Sequence, residues 1–164
     1  MKRQVFYSFH YEYDNWRVSQ IRNIGVIESN REATDNDWEK ITGGGEASIK
    51  KWINDQMYYR SCTVVLVGYA TAGRKWINYE IEKSWNSKMG IVGICIHKLK
   101  NRMGFQTNQG NNPFLNFNIN GTNLSNIVKL YNPPFLDSKD VYKYIADNIG
   151  DWTNEAVTIR NRYS

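Results

Sequence analysis

A carboxylate held where an apolar helix face meets a cleft is partly desolvated, and it can bind hydroxyls or stabilise a developing positive charge. Glu80 has that placement in the stretch Arg74-Lys75-Trp76-Ile77-Asn78-Tyr79-Glu80-Ile81-Glu82-Lys83-Ser84-Trp85. At about 100° per residue, Ile77, Ile81 and Trp85 form one buried stripe, and Glu80 lies roughly 60° from Ile77, on the border. Trp76 and Ser84 flank it one turn either way, while Glu82 and Lys83 point to solvent. The plain alternative is that Glu80 is a solvated border residue.

Other polar groups collect where strands should end. Ser8, Phe9 and His10 follow a strand-like run, Gly68 to Thr71 follow a second, and His97 follows a third; His10 and His97 read as strand-end residues or as ligands. Arg17 shares a helix face with Ile21 and Ile24, so it either snorkels to the edge or reaches into the cleft beside the first strand. Cys62 and Cys95 lie inside apolar runs without metal-type spacing, which predicts reduced, buried thiols, no disulfide and no metal site.

The elements that must position these groups alternate. Residues 4–10 read as a central strand, 11–13 as a turn, and Asp14 as the cap of a helix over 15–26. Residues 27–45 have no clean period and read as a mobile loop with a short strand or helical turn inside it, and Trp38 is its only large anchor. A helix over 46–58 presents Ile49, Trp52, Ile53 and Met57 on one face. The runs 62–68 and 91–97 are unbroken and apolar, as in parallel strands covered on both sides, and a helix over 74–88 joins them. Residues 101–126 read as a long Asn- and Gly-rich loop anchored by Pro113, Phe114 and Leu115, either functional or hiding short elements. A last strand over 127–131 and a helix over 138–149 stopped by Gly150 close the chain, with a second short helix in the tail.

Strands alternating with helices predict a parallel doubly wound α/β sheet with ligands outside the carboxyl ends of its strands. A chain of 164 residues with 41% hydrophobic and 14% aromatic residues predicts a single packed domain, 1–164. No run is apolar enough to span a membrane and the N-terminus enters a strand directly, which predicts a cytoplasmic protein. Net charge is +5, but the basic residues are scattered and form no helical stripe, so no nucleic acid is expected.

The ordered set of motifs resembles the TIR-like domain family. Trp76-x-x-x-Glu80-Ile81 on the helix after a central strand is similar to the glutamate of enzymatic TIR domains, four residues after a tryptophan. Arg3 to Tyr11, Arg17, Arg22-Asn23, the Arg74 to Ile81 segment and Gly110-Asn111-Asn112-Pro113-Phe114 resemble more closely the TIR-like proteins of bacterial Thoeris anti-phage systems, over roughly residues 3 to 115. Ile77 stands where the family usually has Cys, and 27–45 lacks the Arg-Asp and Pro-Gly pair of receptor-type TIR domains.

That resemblance implies a flavodoxin-like three-layer fold and cleavage of the nicotinamide–ribose bond of NAD+, with NAD+ as substrate and no cofactor. Glu80 would stabilise the oxocarbenium-like centre, Ser8, Phe9 and His10 would floor the site, Phe9 or Trp38 would stack on a ring, and Trp76 would line it. Arg17 or the basic rim would hold the pyrophosphate. Thoeris-type relatives make a cyclic ADP-ribose signal that diffuses to a partner effector protein; whether a homo-oligomer completes the site stays open. A non-catalytic TIR-like interaction module is the alternative. A phosphate-accepting receiver domain needs an acidic cluster that Ser8, Phe9 and His10 do not supply.

Overall fold

The computed structural model describes residues 2–30 and 40–163. Its centre is a five-stranded sheet, every neighbouring pair parallel, built from β1 (Gln4–Ser8), β2 (Glu28–Ser29), β3 (Cys62–Val67), β4 (Gly90–Cys95) and β7 (Lys129–Tyr131). The order β2-β1-β3-β4-β7 is that of a flavodoxin-like sheet. Strands β3 and β4 are buried at all six positions each, which is why neither shows polar alternation.

Alternate side chains feed two layers. Val5, Tyr7, Val64, Leu66, Val92 and Ile94 face helices α1 (Tyr11–Arg22) and α4 (Ser138–Asn161), through Val18 and Ile21 on one and Val141, Ile145 and Ile149 on the other. On the other face Phe6 meets α2 (Gly45–Met57), while Val65 and Val67 meet α3 (Lys75–Asn86) through Ile77, Ile81 and Trp85. The three-layer α/β expectation holds.

Two boundaries differ most from the sequence reading. Helix α1 begins at Tyr11, four residues before the expected start, and Asp14 does not cap it. His10 does, its Nδ1 accepting from the Tyr13 amide at 3.3 Å. Histidine is outside the usual capping set, so the signal was missed. Gly150 does not stop α4 either: Trp152, Ala156 and Ile159 continue the buried stripe, and α4 runs 24 residues to Asn161. A glycine inside a helix weakens it by roughly 1 kcal/mol, which this packing exceeds.

Residues 101–126 do hide short elements. A 3-10 turn over Pro113–Asn116, a hairpin of β5 (Asn118–Ile119) and β6 (Thr122–Asn123), and a second 3-10 turn over Leu124–Asn126 lie inside. Pro113 and Phe114 are the buried anchors; Leu115, expected with them, is 58% exposed. Within 27–45, β2 and a helical turn at 40–43 are described, and Trp38 lies outside the described residues.

Candidate active site

Glu80 lies in the middle of α3, and its position relative to the sheet follows from the stripe beside it. Ile77 and Ile81 seat on β3 and β4, which turns the intervening Glu80 toward the end of β1. There Ser8, the last residue of β1 and fully buried, donates its hydroxyl to Glu80 Oε1 at 2.6 Å. Only 7% of Glu80 is exposed. Burial disfavours the carboxylate and pushes its pKa up to about 8, and the Ser8 hydrogen bond pulls the other way. The α3 backbone beneath is fixed by Ser84, whose hydroxyl donates to the Glu80 carbonyl at 2.6 Å and also bonds Thr63 on β3.

A cavity of about 420 Å³ opens over this carboxylate. One wall is the segment from Phe9 to Glu12, where the chain leaves β1 for α1; another is Ile49, Trp52 and Ile53 of α2; the third runs from Gly73 to Ile77 at the start of α3. β1 and β3 are neighbours whose following helices go to opposite faces, so their exits part and leave a crevice. The volume is that of a small-molecule site. Trp76 lines it half-buried, its ring edge-on to Tyr79 at 5.7 Å and beneath the Lys75 ammonium at 5.2 Å.

The fold therefore gathers Glu80, Phe9, His10 and Trp76 around one cavity, with Ser8 directly behind the carboxylate. Arg17 is not brought there. It is 1% exposed and donates to the Leu99 carbonyl at 2.8 Å, the Phe105 carbonyl at 3.0 Å and Asp14 at 3.0 Å, tying the loop after β4 onto α1. A guanidinium sealed in that way offers nothing to a pyrophosphate, so its expected place in the site is corrected: the snorkelling and the cleft reading both give way to a buried ion pair. His97 is likewise buried, at the end of β4 and outside the cavity wall. Cys62 and Cys95 are free, buried thiols, raised by burial to about 12 and about 11.

The sequence reading missed Tyr11, Arg74 and the α2 wall. Trp52 showed its signal as an inner-face residue of α2, but nothing in the pattern said that this face overlooks a cavity. The family described as "Thoeris protein ThsB, TIR-like domain" matches residues 6–101, more than half of the chain and all of this site that the structure describes. The chain belongs to that TIR-like family. A protein of Bacillus cereus (strain MSX-D12) named "Putative cyclic ADP-D-ribose synthase ThsB1" is similar to it, 35% identical over 119 residues. The match covers 70% of this chain and 62% of that protein, so the TIR-like chain spans about three fifths of its relative's length.

Proposed function

We propose that this TIR-like protein cleaves the nicotinamide–ribose bond of NAD+ and closes the product into a cyclic ADP-ribose signal for a partner effector in anti-phage defence. The observation that carries the reading is a buried carboxylate, with a hydroxyl as its one side-chain partner among the described residues, facing a cavity of nucleotide-binding size. The name of the Bacillus cereus relative, a cyclic ADP-D-ribose synthase, supports the cyclic product.

Glu80 has the properties this chemistry needs. With its pKa pushed up to about 8, much of the acid is protonated at neutral pH, and the cationic nicotinamide ring of a bound substrate would favour the carboxylate. When the bond from the ribose C1′ to the ring nitrogen breaks, its electron pair stays with nicotinamide, which leaves neutral and needs no general acid. The positive charge passes to the ribosyl centre, where the carboxylate stabilises it in a water-poor setting. Attack by a group of the same molecule forms the new bond to C1′, and the proton released on closure can pass to Glu80. The overall change is NAD+ to cyclic product, nicotinamide and one proton. Phe9, Trp52 and Trp76 supply aromatic surface for the ring.

Chromatography of NAD+ incubated with the purified protein, with and without phage-infected lysate, tests the reading. Nicotinamide release with a cyclic product supports it. NAD+ intact under both conditions would leave the non-catalytic interaction module.

A further inference from the structure

His10 carries two structural duties with one ring. Its Nδ1 accepts from the Tyr13 amide as the N-cap of α1, so the proton of the neutral imidazole sits on Nε2, which is a donor. The ring lines the cavity, and no described residue bonds Nε2. Burial, then Arg74, hold its pKa below the usual histidine range against Glu12 and its own carbonyl, so the ring is a neutral donor at pH 7. Protonation would place a second hydrogen on Nδ1, against the Tyr13 amide that it caps.

Resting on the proposed NAD+ chemistry, we propose that the His10 nitrogens divide their roles, Nδ1 capping α1 and Nε2–H donating to a diphosphate oxygen of the bound dinucleotide. Arg74 lines the same cavity and is exposed, a cation beside a neutral donor, which suits an anionic oxygen and offsets Glu12 on that rim. Glu80 lies six steps along α3 from its N-cap Arg74, a rise of about 9 Å, so a ribose can lie between the two ends. The nicotinamide ribose then takes the Glu80, Ser8 and Trp76 end, and the diphosphate takes the His10 end.

Two substitutions separate the roles. Asparagine reproduces the position of Nδ1 but does not reach Nε2; glutamine reaches Nε2 but is a poor cap. Calorimetry would use the full chain carrying Glu80→Gln, to prevent turnover, with NAD+ and with nicotinamide riboside, which lacks the diphosphate. Adding His10→Asn should leave Tm unchanged, weaken NAD+ binding by roughly tenfold or more and leave riboside binding as it was. Adding His10→Gln should lower Tm and keep NAD+ affinity within about threefold. Unchanged NAD+ affinity with His10→Asn overturns the proposal, as does an equal loss for the riboside, which would move the contact to the other end. Failure of the glutamine to retain affinity also overturns it. If the Glu80→Gln protein binds no NAD+ and wild type cleaves none, the failure lies instead with the proposed substrate.

Discussion

Two helices leave the carboxyl edge of this sheet carrying a buried acid, and the two acids are held in opposite ways. Asp14 on α1 is 1% exposed and paired to an Arg17 that is itself sealed, bonded to two loop carbonyls. Glu80 on α3 is buried nearly as well, yet its side-chain partner is a neutral hydroxyl and an open cavity lies over it. Burial raises both, with Arg17 opposing the rise at Asp14 and Ser8 opposing it at Glu80. A compensated charge serves the fold, since its energy is spent on fixing a loop. An acid at a cavity with no cation beside it among the described residues resists ionising until a cationic substrate arrives.

Breaking the compensated corner should have the largest effect on stability. Arg17→Met leaves Asp14 buried without its cation and two carbonyls without their donor, a loss of about 3–5 kcal/mol. In a chain of 164 residues that is a fall in Tm of about 10 °C or more. NAD+ affinity measured well below the new Tm should stay within about twofold. An unchanged Tm with lost affinity would put Arg17 back in the site.

Glu80→Gln breaks the other corner through function. Removing the carboxylate should lower NAD+ turnover by about 10²-fold or more, equivalent to roughly 3 kcal/mol of transition-state stabilisation. Glu82→Gln, on the exposed side of the same helix, should behave as wild type. Wild-type turnover in Glu80→Gln would reduce Glu80 to a packing residue.

Stability against pH sharpens the contrast. Below the unfolded pKa near 4.5 Glu80 is protonated in both states. As pH rises toward the folded value near 8 the unfolded chain ionises while the native site resists, so wild type loses stability across that window and levels off above it. Glutamine does not titrate. Melts of Glu80→Gln should therefore gain on wild type by a few degrees between pH 5 and pH 8. A gap that is flat or shrinks with pH would mean that the native acid is not disfavoured by burial.

How far the sequence foretold this contrast depends on which physical signal each residue carries. Buried strands announce themselves through composition, so β3 and β4 were legible. The border position of Glu80 was legible from spacing, which left open whether the acid was solvated or faced a cleft; the fold buries it beside Ser8. Arg17 was not legible: its helix face was read correctly, but its partners, the carbonyls of Leu99 and Phe105, are 82 and 88 residues away, and no periodicity encodes them. The start of α1 was lost for a different reason: the contact from the Tyr13 amide to His10 is local, three residues apart, but histidine is not a residue that marks a cap. Within 101–126, Asn112 and Asn123 each cap a 3-10 turn through the side chain, at 2.9 and 3.0 Å. In an Asn-rich stretch those caps look like the asparagines that do nothing.

The smallest change tests whether Ser8 tunes Glu80 or only packs beside it. Its hydroxyl donates to Oε1 and so favours the carboxylate form. Ser8→Ala removes that donor without adding volume to a fully buried strand end, so the Glu80 pKa should rise further, by about one unit or less. If the carboxylate is the form that cleaves NAD+, kcat/KM climbs with pH through the pKa of the free enzyme, and the substitution moves that rising limb to higher pH. At pH 7 the loss should be roughly three- to tenfold, and at pH 9 turnover should largely recover, a recovery that a disrupted strand end would not show. A limb that stays in place while activity falls equally at every pH would make Ser8 a packing residue, and a limb that moves down in pH would mean that another group titrates.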